Sequence, residues 1–306
     1  MTNPVLQTHA LTKSFGREEV LRGIDLNIEP GQVVGLVGTN GAGKTTLIKC
    51  LLGLLRTTGG TCRVFGEDSW DLSAEVKSRL GYVSQEFELL PWMTVQQMCD
   101  YTGAFYERWQ PAHVARLISE WQLPPEKRTG ALSVGQRQKL GAILALGHHP
   151  ELLVLDEPVA SLDPLARRQF LQSLIEFTEA ENNTILFSTH ITSDLERIAS
   201  HVAILRGGRL AWFGPLDVLK DGCKRLRLFS QRAFPLDFTI PGAIRYDVSG
   251  RQALVSVAQF NDEILHAITQ QWQAEVQVED LSLEEIFLEW NDNSRDDVLS
   301  GGEVRS

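Results

Sequence analysis

The chain has 306 residues, 43% hydrophobic and 22% charged, enough to bury one large domain and a smaller one. Its formal net charge of -10 argues against general nucleic-acid binding, which needs clustered Lys and Arg to displace counterions. No apolar run approaches the ~20 residues that span a bilayer, and MTNPVLQTHALTKSFG lacks the cationic start and apolar core of a secretory signal.

In chain order, VLQTHALTKSF and VLRGIDLNIEPGQ alternate apolar and polar residues around turns, which predicts antiparallel strands. QVVGLVG (32–38) reads as a buried strand, GTNGAGKTT (38–46) as a glycine-rich turn, and LIKCLLGLL (47–55) as the repeat of a helix. A helix over 71–80 leads to the strand GYVSQ (81–85). Residues 92–147 read as mostly helical, with breaks at Pro111, Pro124 and Pro125. LLVLD (152–156) and TILFSTH (184–190) suit buried parallel strands, and VAILRGGRLAWFG (202–214) a hairpin turning at Gly207-Gly208. After about residue 222 come the strands KRLRLF, AIRYDVS and QALVSVA, a helix over 260–272, the strand EVQV and the helix SLEEIFLEW, which Ser282 and Glu285 cap. Residues 291–306 are polar and glycine-bearing, and disorder is expected there. Cys50, Cys62, Cys99 and Cys223 lack C-x-x-C spacing and read as buried or incidental thiols in a reducing cytosol.

Gly38 through Gly43 and Lys44 to Thr45 fits G-x-x-x-x-G-K-[ST], and the predicted strand, turn and helix give the pattern its context. Such a loop wraps a polyphosphate in backbone N–H groups, Lys44 reaching the β- and γ-phosphates and Thr45 offering a hydroxyl to Mg²⁺. A dinucleotide fingerprint needs G-x-G-x-x-G, which is absent from this loop. Asp156, ending an apolar strand, suits a hydrated Mg²⁺, and Glu157 beside it suits a base for the attacking water. LSVGQ (132–136) serves equally as an ordinary helix start capped by Ser133 and Gln136, or as a helix terminus that binds phosphate oxygens. Gln85 and His190, each after a strand, are ambiguous singly.

Their order is decisive: the lysine loop, Gln85, LSVGQ, Asp156-Glu157, SLD (161–163) and His190 follow one another along the chain. Residues 4–220 resemble the ATP-binding cassette (ABC) family, the ATPase subunits of ABC transporters. The resemblance implies an α/β P-loop NTPase with a mixed sheet core, an antiparallel β subdomain and a helical subdomain at about 87–145. On this reading residues 1–222 form the ATPase domain, 223–290 a small α+β accessory domain and 291–306 the tail. The resemblance also implies ATP and Mg²⁺ as cofactors. Gly38, Thr39, Asn40, Gly41, Ala42, Gly43, Lys44, Thr45 and Thr46 form its phosphate-binding loop. Thr45, Gln85 and Asp156 serve the metal, Glu157 is the general base, and His190 contacts the γ-phosphate. Phe15 stands where the family stacks an aromatic on adenine, with a core role in a hairpin as its rival. Ser133, Gly135 and Gln136 would face the nucleotide of a partner subunit, and Asp163 would couple the two sites. Val134 replaces the usual glycine of the signature, a change tolerable in a helix's first turn.

The family's helical insert meets a separate membrane permease, and Trp92 and Met93 of ELLPWMTV are contact candidates or plain core. LSLEEIFLEW resembles the acidic-aromatic ending of type-two ABC exporters. The implied assembly pairs two ATPase subunits, a homodimer ahead of a heterodimer, on the inner face of the cell membrane, with no nucleic acid. A soluble ABC ATPase acting on ribosomes or DNA is the rival; such proteins usually carry two cassettes or long insertions, which this chain lacks. A regulatory pseudo-ATPase is opposed by the intact Lys44, Asp156, Glu157 and His190.

Overall fold

Alternating burial along β1 (Leu6–Phe15) and β2 (Glu18–Ile28) gives an antiparallel pair with Leu6, Leu11, Leu21 and Ile24 turned inward. These belong to a computed structural model that describes residues 3–85, 88–159, 162–181, 183–189, 191–235, 238–240 and 242–291. β3 (Val33–Val37) is buried throughout, and α1 (Lys44–Leu51) follows the glycine loop. β4 (Gly59–Val64) and β5 (Glu67–Asp68) complete a sheet in the order β2-β1-β4-β5.

The next elements are α2 (Ala74–Ser78), β6 (Leu80–Val83), α3 (Val95–Gly103), α4 (Pro111–Glu120) and α5 (Val134–Leu146). Then come β7 (Leu152–Asp156), α6 (Pro164–Glu181), β8 (Thr184–Thr189), α7 (Thr192–Ile198), β9 (His201–Arg206) and β10 (Arg209–Pro215). Among the described residues the central sheet runs β10-β9-β3-β8-β7-β6, with parallel ladders between β3, β6, β7, β8 and β9 as neighbours allow. β3, β7 and β8, at its centre, are buried at every position, as strands covered on both faces are. One buried cluster joins Leu6, Leu21 and Ile24 of the antiparallel sheet to Leu47, Ile48 and Leu51 of α1 and Leu36, Val154 and Leu186 of the central sheet. At about 1.5–3 kcal/mol for each fully buried aliphatic side chain, this cluster fixes α1, and with it the glycine loop, against the sheet.

Two local expectations need correction. α1 starts earlier than the 47–55 repeat and stops at Leu51, because Gly53 at φ +67° turns the chain where an added Cβ would lie 1.9 Å from the Ser69 carbonyl oxygen. The helix expected over 71–80 is only α2, preceded by a 3₁₀ turn at Ser69–Asp71 and started by Ser73, whose hydroxyl accepts from the Val76 N–H. The break expected at Pro111 is there: the chain leaves α3 at Gly103, and Pro111 opens α4, at a position whose N–H needs no partner.

By compactness the chain divides into residues 1–213 and 214–306. The second unit holds α8 (Leu216–Gly222), β11 (Lys224–Ser230), β12 (Ala243–Ser249), β13 (Gln252–Val257), α9 (Asp262–Trp272), β14 (Ala274–Asp280) and α10 (Leu283–Asn291). Its antiparallel sheet runs β12-β13-β11-β14, and Leu226, Leu228, Val255, Phe238 and Ile268 form its core. The Ser282–Glu285 capping box starts α10: Glu285 N–H donates to the Ser282 hydroxyl (3.3 Å), and Ser282 N–H to the Glu285 carboxylate (3.0 Å). The buried Glu289 of α10 pairs with Arg225 (2.7 Å) and Arg245 (3.4 Å). The four cysteines are free and buried. The tail expected to be disordered lies outside the described residues beyond Asn291. Among the described residues no helix is long and apolar enough to cross a membrane.

Candidate active site

Between β3 and α1 the chain must turn tightly and come close to its neighbours. Gly43, the residue before α1, sits at φ 105°, where an L side chain is strained, and a Cβ on Gly38 would lie 2.7 Å from the Leu205 carbonyl oxygen. The result is a cleft of about 490 Å³ lined by Val20, Asn40, Gly41, Gly43, Lys44, Thr45, Thr46, Gln85 and Glu157. Lys44 Nζ donates to the carbonyls of Gly38 (2.8 Å) and Thr39 (3.3 Å), and the Ala42 N–H closes the loop onto Thr39 O (3.1 Å). Burial pushes the Lys44 ammonium below its ordinary pKa, against the opposing pull of Glu157 and Asp156. A buried cation of this kind suits a polyanion that replaces its lost hydration.

Asp156 ends β7 and is 1% exposed. Its Oδ1 accepts a 2.6 Å bond from the Ser188 hydroxyl on β8, while Oδ2 is buried without a hydrogen-bond partner among the described residues. An orphaned carboxylate oxygen is costly unless something outside the chain completes it. The donor set of Asp156, Thr45 and Gln85 is all oxygen, the chemistry that hard Mg²⁺ takes. Glu157 follows at φ +50°, an uncommon conformation for a non-glycine residue and one that clusters at working sites.

Several site residues lie apart from this cleft. Phe15 is no core residue: it is 49% exposed, with Lys13 Nζ 4.9 Å from its ring centroid. Ser133 is exposed, outside the cleft's lining, and builds a complete capping box with Gln136, which also receives a bond from Lys127 (3.2 Å). Val134 is the first residue of α5 and Gly135 the second, so neither needs positive φ. Asp163 caps α6, accepting from the Leu165 and Ala166 N–H groups (3.0 Å each), which hold its pKa below the ordinary value. Trp92 is 64% exposed and Met93 half-buried. His190 lies outside the described residues. Sequence reasoning missed Val20 and Ser188; for Ser188 the available signal was a hydroxyl directly after the apolar run Ile185, Leu186 and Phe187.

The family model described as ABC transporter matches residues 21–160, and a model described as AAA domain, putative AbiEii toxin, Type IV TA system matches residues 128–193. The bacitracin transport ATP-binding protein BcrA of Bacillus licheniformis is 32% identical over 71% of this chain and 71% of its own length. The chain belongs to the ABC transporter ATP-binding family. This ABC ATPase is also 33% identical to the Nod factor export ATP-binding protein I of Cupriavidus metallidurans, over 80% of this chain and 84% of that one. Its fold matches a solved ATP-binding subunit of an ABC transporter with TM-score 0.65 and 28% identity, covering 71% of this chain and 92% of that chain. It also matches the dimeric cassette MJ0796 bound to ADP and phosphate (TM-score 0.62, 23% identity, 69% of this chain and 98% of that chain), a likeness of fold alone. As a member of this family it is an ATPase subunit that uses ATP and Mg²⁺.

Proposed function

We propose that this ABC ATPase powers export through a separate integral membrane permease, held at the inner face of the cell membrane and paired with a second copy of itself. One arrangement carries the proposal: Lys44, Thr45, Thr46, Gln85 and Glu157 share a single cleft, and the neighbouring Asp156 keeps one buried oxygen without a partner among the described residues. Lys44 and Thr46 receive the phosphates, Thr45, Gln85 and Asp156 hold Mg²⁺, and Glu157 takes the proton of the attacking water. Mg²⁺, when bound, supplies charge neutralisation on the β- and γ-phosphates. Phe15 offers an exposed ring for adenine, and His190 contacts the γ-phosphate. Ser133, Gly135 and Gln136 present an exposed helix start to the nucleotide of the partner copy, and Asp163 couples the two sites. ATP binding closes the pair and hydrolysis opens it. Export is supported by the match to the Nod factor export protein over 80% of the chain and by LSLEEIFLEW near its end. The relatives reported give no support for action on ribosomes or DNA. The exposed Trp92 supports a permease contact at the helical insert.

Two measurements test this. The native protein is expected to copurify with a polytopic membrane polypeptide; recovery on ribosomes instead refutes the transport role. Glu157→Gln is expected to bind ATP, lose turnover by about 10²–10⁴-fold and accumulate as ATP-bound dimers. Unchanged turnover removes Glu157 from its role.

A further inference from the structure

We propose that Ser188 is a positioning residue that sets both carboxylates of the site at once, orienting Asp156 for the metal and Glu157 for water. Ser188 sits on β8 in register with Asp156 on one side and Leu36 on the other, and it is 0% exposed. A hydroxyl in such a place must find partners or destabilise the sheet. It finds two, and their roles are determined by proton count. Asp156 Oδ1 has no proton to give when ionised, so the Ser188 O–H donates to it, at 2.6 Å. The Ser188 hydroxyl oxygen in turn accepts the Glu157 N–H, at 3.0 Å. That N–H is shared with the Ser188 carbonyl, at 3.2 Å.

Two consequences follow for the site. The bond to Oδ1 fixes the Asp156 carboxylate so that Oδ2 is the atom left without a partner among the described residues, and a metal ligand held by an outer partner binds better than a free-swinging one. The double hold on the Glu157 N–H stabilises a backbone at φ +50°, a conformation that persists only where its surroundings over-determine it. Ser188 thus hydrogen-bonds both members of the pair, the Asp156 carboxylate and the Glu157 N–H.

The inference rests on the roles proposed for Asp156 and Glu157. Its test compares Ser188→Ala and Ser188→Thr with the unmodified protein, measuring ATP affinity in EDTA, ATP affinity in Mg²⁺, and turnover. In Ser188→Ala, ATP affinity in EDTA is expected to stay as it was, because the loop is untouched. The Mg²⁺-dependent gain in affinity is expected to shrink, and turnover to fall, each by about 10- to 100-fold, the usual cost of removing a partner that orients a metal ligand. Ser188→Thr keeps the hydroxyl and is expected to recover most of both. Ser188→Ala with an unaltered Mg²⁺ dependence overturns the proposal. So does a parallel loss of ATP affinity in EDTA, which marks a purely structural serine, or a Ser188→Thr variant as damaged as Ser188→Ala. Glu157→Gln is run alongside: unchanged turnover there refutes the base assignment itself, a result separable from any of these.

Discussion

Lys44 Nζ stands 3.8 Å from Glu157 Oε1, so the cation of the phosphate loop faces the carboxylate at the strand end. Both side chains are largely buried, and Lys44 also spends hydrogen bonds on the Gly38 and Thr39 carbonyls. A triphosphate entering the cleft therefore competes with three existing oxygen partners for one ammonium. The geometry makes lysine the group that links occupancy of the loop to the freedom of the base.

Replacing Lys44 with Ala removes a buried, charge-assisted donor worth about 1.5–3 kcal/mol. ATP binding is expected to weaken about 10- to 100-fold, measured with a fluorescent ATP analogue, while circular dichroism stays unchanged. Binding at the original strength would mean that the cradle does not use its lysine.

Glu157 trades stability for placement. Its positive φ costs about 1 kcal/mol or more relative to glycine. Glu157→Gly and Glu157→Gln both lose the charge opposite Lys44, so their difference isolates the backbone contribution. The glycine variant is expected to be the more stable by about 1 kcal/mol, read from thermal or urea unfolding, with both inactive. Equal stabilities would show that the strain is absent in solution.

Ser133 permits a test in which the cap survives and the charge changes. Aspartate caps helices as well as serine does, so Ser133→Asp keeps the start of α5 while adding a negative charge where a partner's phosphate would sit. In the Glu157→Gln background, ATP-driven dimers are expected to disappear on size exclusion while each subunit binds ATP as before. Persistent dimers would remove Ser133 from the interface.

Burial, helped by Arg108 and His149 and opposed by a bond to the Leu80 carbonyl, pushes His148 down from the ordinary 6.5 to about 4. A depressed histidine pKa means that the folded protein keeps this ring neutral while the unfolded chain takes a proton. Stability is therefore full above pH 6.5 and is lost as pH falls from 6.5 towards 4, by about 3 kcal/mol at 1.36 kcal/mol per unit. His148→Gln, which can still donate to Leu80 O, is expected to flatten the decline in melting temperature between pH 7 and 5.

Much of the fold was legible because it is local. The G-x-x-x-x-G-K-[ST] spacing forces a turn only glycines can make, and Ser133–Gln136 and Ser282–Glu285 carry their capping instructions within four residues. The glycine at 53 and the 3₁₀ turn before α2 were less legible, since each depends on how residues far along the chain pack together. Ser188 shows the same limit in the site. Its bonds reach 32 residues back to Asp156, a distance only the parallel pairing of β7 and β8 closes. Nor does any composition rule announce that Glu157 sits at positive φ; that follows from where the strand ends and what holds its N–H.

The buried thiols give the molecule reporters of its own opening. Burial raises Cys50 and Cys62 to about 11, Cys99 to about 12, and Cys223 above its ordinary value, so the folded protein offers almost no thiolate at neutral pH. Maleimide capture, followed by peptide mapping, then times exposure of the first unit through Cys50, Cys62 and Cys99 and of the second through Cys223, with no engineered label. If ATP tightens the first unit alone, three of these clocks slow and the fourth keeps its pace.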